Sequence, residues 1–133
     1  MEVKQIMSRE VEVIHSHIPV QTAAEKMKAL DVGMLPVRDG DLLVGTVTDR
    51  DIVVRAIAGG KDPSTTEIKE ILTPDVVYCF EDQDVREAAQ LMQENNIRRL
   101  IVLNRDKRLA GIVSIRDLAG ETVSGKPVKR VFR

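Results

Sequence analysis

Two stretches of the chain place a hydroxyl three residues before an aspartate. They are Gly45-Thr46-Val47-Thr48-Asp49-Arg50-Asp51 and Gly111-Ile112-Val113-Ser114-Ile115-Arg116-Asp117. Both read Gly-x-Val-(Thr/Ser)-x-Arg-Asp and fall where an apolar β-type run gives way to a helical one. A carboxylate accepts hydrogen bonds from two vicinal hydroxyls, so Asp51 and Asp117 suit a ribose, with Thr48 and Ser114 beside them to reach sugar or phosphate. A helix that starts here adds free N–H groups that favour anions. The same spacing also describes a helix cap, in which the hydroxyl caps and the acid three residues later closes a capping box. Asp is shorter than the usual Glu or Gln and is expected to reach the N-cap amide less easily. The two readings are compatible, since one carboxylate can cap a helix and face a ligand.

The second charge-bearing feature is Arg98-Arg99, ahead of the apolar run Leu100–Leu103. Adjacent guanidinium groups match the geometry and charge of phosphate. Gly33 and Met34 occupy the corresponding place in the first half, so two sites built this way are expected to be unequal. Arg50 and Arg116 are secondary phosphate candidates, because a first-turn arginine also pairs with nearby acids. His15-x-His17 has no accompanying set of ligands at zinc spacing and reads as a strand-end loop. Gly59-Gly60-Lys61-Asp62 lacks the spacing of a phosphate-binding P-loop. Cys79, the single cysteine, sits in an apolar run and reads as inert. No arrangement of nucleophile, histidine and acid is visible, so no catalytic residue, catalytic cofactor or metal is assigned and the chain is not read as an enzyme.

The elements that position these residues occur twice. Ile71 follows Ile6 by 65 residues, and the same offset relates Val11 to Val76, Val20 to Val85, Ala23 to Ala88, Met27 to Met92 and Val37 to Val102. One residue enters the second copy after that point, and Gly45, Thr48, Arg50 and Asp51 then match Gly111, Ser114, Arg116 and Asp117. The reading is a duplication with residues 1–60 and 61–120 as the two repeats, 121–133 as a basic tail, and a turn-rich joint at Gly59–Ser64. Each repeat runs strand, helix, strand, strand, helix. The strands are expected at Val11–Ile14, Met34–Val37 and Leu42–Val47, and at Val76–Cys79, Leu100–Leu103 and Arg108–Val113. The helices are expected at Val20–Leu30 and Arg50–Ala58, and again after Asp82, a candidate N-cap, and at Ile115–Ala119. Pro36 places its strand near a sheet edge. The class is α/β or α+β, with short sheets and two copies sharing one core.

Composition narrows the functions. The chain has 133 residues, a formal net charge of -1 and 43% hydrophobic residues, which fits a folded domain with a sizeable core. A pI near 6.1 argues against a general nucleic-acid binder. No apolar run is long enough to span a bilayer, and the first residues do not form a secretory signal, so a cytoplasmic setting is expected. Aromatic residues make up only 2%, leaving the core to Val, Ile, Leu, Met and Ala.

The duplicated unit, with its strand-to-helix Gly-x-x-(Thr/Ser)-x-x-Asp junctions, resembles a tandem pair of CBS domains from about Val3 to Gly120. Gly33-Met34-Leu35-Pro36-Val37, Thr48 to Arg55 and Gly60-Lys61-Asp62-Pro63 are similar to the small stand-alone prokaryotic members of that family. The resemblance implies a pseudo-twofold pair with two clefts that take adenosine-containing ligands. The first choices are AMP, ADP or ATP, and the second are NAD or S-adenosylmethionine. It implies Asp51 and Asp117 as ribose residues and Arg98 and Arg99 as phosphate residues serving the cleft that contains Asp51. Val11, Val76, Pro36, Thr46 and Ile112 would flank the adenine. It further implies a homodimer and an effector protein of unknown identity. The competing function is a dimerisation or interaction module that senses no nucleotide.

Overall fold

The computed structural model describes residues 1–122, with side chains through Ala119, so most of the 121–133 tail lies outside the described residues. The described chain forms two compact units, Glu12–Val76 and Met1–Val11 together with the chain from Val77 onward. Each unit has a core of its own where the duplication led us to expect a shared one. Ile14, Val20, Ala23, Met27, Leu35, Val37, Val47, Ile68 and Ile71 build the first. Val3, Met7, Cys79, Ala88, Met92, Leu100, Val102 and Val113 build the second.

The 12–76 unit contains β1 (Ile14–His15), α1 (Val20–Leu30), β2 (Met34–Asp39), β3 (Leu42–Thr48) and α2 (Asp49–Asp51), which continues as a π-helix over Ile52–Ile57. The other unit contains β4 (Tyr78–Phe80), α3 (Val85–Asn95), β5 (Arg99–Leu103), β6 (Leu109–Ser114) and α4 (Ile115–Thr122). The sheets run β1-β2-β3 and β4-β5-β6, with the first pair parallel and the second antiparallel in each. Both central strands carry a register shift at equivalent places, Val37/Arg38 and Val102/Leu103. The residue added to the second copy is absorbed in the hairpin after β5, where Asn104 accepts from the amides of Asp106 and Arg108 and Lys107 takes φ 62°.

Several elements depart from the sequence expectation for identifiable reasons. The first strand of each copy begins later than expected, leaving Val11 and Val76 half-buried and outside the sheets. Leu30, apolar and three residues beyond the buried Met27, lies 49% exposed in the last turn of α1. Asp84, not Asp82, caps α3 by accepting from the Arg86 amide. Asp82 instead pairs with Arg105 at 2.8 Å, and that guanidinium lies over the Phe80 ring. The side chain and amide of Arg86 hold the Asp84 carboxyl down at about 2. Both α1 and α3 end on a left-handed acid or amide residue, Asp31 and Asn96, where glycine is the commoner choice.

Pro36 is not at an edge but in the central strand β2. It faces Thr46 of β3, whose N–H and C=O both bond Thr73 on the far side. Position 36 therefore owes β3 no hydrogen bond, and its nitrogen points to the side where β1 has not yet begun. In the second copy Ile101 stands in this place and gains a pairing with Tyr78, while Val13, the counterpart of Tyr78, stays outside β1. The two sheets thus differ in hydrogen bonding at this position, as a proline there requires.

The repeats and the compact units do not coincide. The leading segment of the first repeat, with its 3-10 turn Val3–Gln5, pairs through Ser8 with Ile112 of β6. The matching segment of the second repeat, with its 3-10 turn Ile68–Glu70, pairs through Thr73 with Thr46 of β3. Each pairing runs past a glycine. A Cβ on Gly45 would strike the carbonyl oxygen of Thr73, and one on Gly111 that of Ser8. Gly45→Ala and Gly111→Ala should each lower stability in urea unfolding by about 1–3 kcal/mol, the usual cost of forced overpacking. An unchanged midpoint would mean that these segments can shift without loss.

Candidate functional site

The two strand-to-helix junctions are built alike. At the first, the Asp51 amide donates to Thr48 Oγ1 at 3.0 Å and the Thr48 amide donates to Asp51 Oδ2 at 2.9 Å. At the second, the Asp117 amide donates to Ser114 Oγ at 3.2 Å and the Ser114 amide donates to Asp117 Oδ2 at 2.8 Å. The expectation that aspartate falls short of the N-cap amide is therefore corrected, and both capping boxes close. The preceding strand brings the N-cap backbone close enough for the shorter side chain. In each box one carboxylate oxygen is taken by an amide and the other is left for further partners.

The surroundings of these second oxygens differ. Asp51 is 8% exposed. The Thr73 hydroxyl lies 3.3 Å from both of its oxygens, and Arg55 Nε lies 3.7 Å from Oδ1. The same guanidinium donates through Nη1 to the carbonyls of Leu72 at 3.0 Å and Ile71 at 3.3 Å. Asp117 is half-buried, and within the described residues its cap is its only hydrogen-bonded contact.

The remaining candidates divide between the units. Pro36, Thr46, Thr48, Arg50, Asp51 and Val76 belong to the 12–76 unit, and Val11, Arg98, Arg99, Ile112, Ser114, Arg116 and Asp117 to the other. Pro36 and Thr46 are register partners, as are Arg99 and Ser114. The Arg98 carbonyl accepts from the Ile115 amide, which fixes the basic pair beside the second junction of its own unit. Arg50 is exposed. Thr73 and Arg55 were not singled out from sequence. The signal for Thr73 was available, since the 65-residue offset carries it onto Ser8 and preserves a hydroxyl.

The demoted features fall as follows. His17 Nδ1 lies 3.2 Å from Glu67 Oε2, and both histidines stack at the end of β1. Among the described residues no group of three or more His, Cys, Asp or Glu side chains is arranged to hold a metal ion. No helix among them is long and apolar enough to cross a membrane.

Residues 3–57 and 68–123 each match the CBS domain. The chain belongs to the CBS domain family. Paired CBS domains are generally regulatory rather than catalytic modules. Among relatives, Hypoxic response protein 1 of Mycobacterium tuberculosis is 35% identical over 117 residues, which cover 87% of this chain and 81% of that protein. A putative signal-transduction protein with CBS domains from Burkholderia ambifaria superposes with a TM-score of 0.88 at 29% identity, covering 97% of this chain and 98% of the other. The CBS domain pair of protein MJ0100, solved with 5'-methylthioadenosine and S-adenosylmethionine, superposes with a TM-score of 0.83 at 31% identity, covering 95% and 98%.

Cys79 takes no part in either junction. It is buried in β4, and burial, with the charge of Glu87 behind it, pushes its thiol up to about 11. At pH 8 the thiolate fraction is minute. Alkylation by iodoacetamide should be negligible in the native protein and rapid in denaturant. Native labelling at the rate of a free thiol would contradict this placement.

Proposed function

We propose that the protein is a cytoplasmic regulatory module that binds an adenine nucleotide at its strand-to-helix junctions and reports occupancy to an effector protein. The observation that carries the reading is the duplicated junction, in which an aspartate is oriented by its cap through one oxygen and keeps the other turned to further partners. A carboxylate oriented in this way by its cap is already placed for the two ribose hydroxyls. Asp51 and Asp117 are the ribose residues, with Thr48 and Ser114 beside them. Arg98 and Arg99 are the first phosphate residues, and Arg50 and Arg116 are the second. Val11, Val76, Pro36, Thr46 and Ile112 are the adenine-flanking set. The MJ0100 pair with its two adenosyl ligands supports the adenosine half of this assignment. The arginine pair favours AMP, ADP or ATP over S-adenosylmethionine, and NAD is the remaining alternative.

A thermal-shift panel of these ligands, with guanine nucleotides as controls, tests the reading. A ligand at 100 times its Kd adds about 2.7 kcal/mol of stability. For a chain of this size the midpoint should rise by roughly 2–8 °C. A hydrogen bond to a charged group contributes about 1.5–3 kcal/mol, so Asp→Ala at the junction that matters most should weaken binding roughly 10- to 100-fold. Arg98→Ala with Arg99→Ala should weaken AMP more than 5'-methylthioadenosine, which has no phosphate. A double-mutant cycle assigns the pair: its effect should combine non-additively with replacement of the aspartate whose ligand it serves and additively with replacement of the other. Equal loss for both ligands would remove the arginines from the phosphate role.

A second reading, dimerisation without nucleotide sensing, is favoured by Val53, Val54 and Ile57. These π-helical side chains are about half exposed and lie within one run. If they pack against a second copy, Val54→Glu should shift the protein to monomer in sedimentation velocity. A monomeric parent protein at high concentration would set this reading aside.

A further inference from the structure

The junctions share a cap but differ in what covers the second carboxylate oxygen. At Asp51 the cover comes from two places that are themselves tied together. Arg55 lies one turn along from Asp51, in the π-helical run Ile52–Ile57. Its Nε faces Asp51 Oδ1 at 3.7 Å while its Nη1 donates to the successive carbonyls of Ile71 and Leu72. The next residue, Thr73, donates its hydroxyl to the same carboxylate. One guanidinium therefore joins the carboxylate to the backbone segment that supplies the other donor. Among the described residues, every partner of the Asp51 carboxylate beyond its own cap belongs to this cluster.

Among the described residues the second junction has no equivalent. The offset that matches Asp51 to Asp117 carries Arg55 onto Glu121, a residue with no donor to offer a carbonyl at neutral pH. Ser8 stands where Thr73 stands and pairs its backbone with Ile112, but its hydroxyl makes no hydrogen bond to Asp117. Asp117 is also the more exposed of the two carboxylates.

We infer that Arg55 is an internal counter-ion that holds the Asp51 junction closed to a ribose, so that an adenosyl ligand fills the Asp117 junction first. This rests on the ribose reading above and assigns an order to its two sites. Ribose hydroxyls arriving at Asp51 must replace the Thr73 hydroxyl and displace the guanidinium, whereas at Asp117 they meet an oxygen with no hydrogen-bonded partner among the described residues. Filling the Asp51 junction frees the Ile71 and Leu72 carbonyls from Arg55. The second occupancy, not the first, therefore loosens the segment that leads out of the 12–76 unit.

Adenosine is the probe of choice, because it is uncharged and loses no phosphate contact when an arginine is removed. Calorimetry on the full chain would compare Asp51→Ala, Asp117→Ala, and Asp117→Ala combined with Arg55→Met or Arg55→Lys. Arg55 is half exposed, so its replacement should leave the chain folded, which the unliganded thermal midpoint verifies. Asp51→Ala should keep the tighter binding step of the parent protein. Asp117→Ala should leave only a step at least about tenfold weaker. Adding Arg55→Met should tighten that step about tenfold, and Arg55→Lys should recover less, since an ammonium keeps the charge but not the fork. If Arg55→Met leaves the Asp117→Ala variant unchanged, or if Asp51 proves the tighter site, the closed-junction inference falls and the ribose reading stands. If the parent protein binds neither adenosine nor any ligand of the panel, both fall together.

Discussion

The pairing of Thr73 with Thr46, and of Ser8 with Ile112, depends on two positions that carry no side chain. Gly45 and Gly111 allow a neighbouring backbone to lie against the last strand of each sheet at a distance no Cβ would permit. That contact satisfies the outward backbone groups of residues 46 and 112. It also carries the 3-10 turns at Val3–Gln5 and Ile68–Glu70 into place, so that Val3 and Ile68 are fully buried. Both cores thus take part of their mass from a segment that belongs, by sequence repeat, to the other copy. It is the same contact that places the Thr73 hydroxyl on Asp51.

The capping boxes supply the second layer of the design. Closing a box with aspartate rather than glutamate draws the carboxylate tight against the strand end, where it orients a helix and still presents an oxygen. A glutamate would span the same gap with a longer, freer side chain and present that oxygen less definitely. At the junctions, the copies diverge in what surrounds this shared device. Arg55 and Thr73 crowd the first carboxylate, the second has only its cap among the described residues, and the arginine pair stands beside the second junction. Duplication followed by change at a few side chains has given two related sites with different electrostatics.

Much of this was legible in the sequence. The two offsets fixed the order of elements, and the Gly-x-Val-(Thr/Ser)-x-Arg-Asp spacing located both junctions. The strand ends were not legible, because the runs at Val11 and Val76 are apolar enough for a strand while pairing starts only where β2 and β5 offer a partner. Pro36 misled for a related reason. Its missing N–H marks an edge only if the neighbouring strand needs that donor, and Thr73 had already taken the groups of Thr46. Asp82 and Asp84 are equivalent as caps on paper, and Arg105, 23 residues further on, decides between them by binding Asp82. Arg55 acquires its role through carbonyls 16 and 17 residues away, which no local pattern reveals.

The central claim is that the junction carboxylates hold the vicinal hydroxyls of a ribose. The most direct measurement compares adenosine with 2',3'-dideoxyadenosine by calorimetry on the parent protein, since the two differ only in those hydroxyls. The account predicts that the dideoxy compound binds at least about tenfold more weakly, the lower end of what a lost hydrogen bond to a charged group removes. Equal affinity for the two nucleosides would contradict it, and would reduce the aspartates to helix caps.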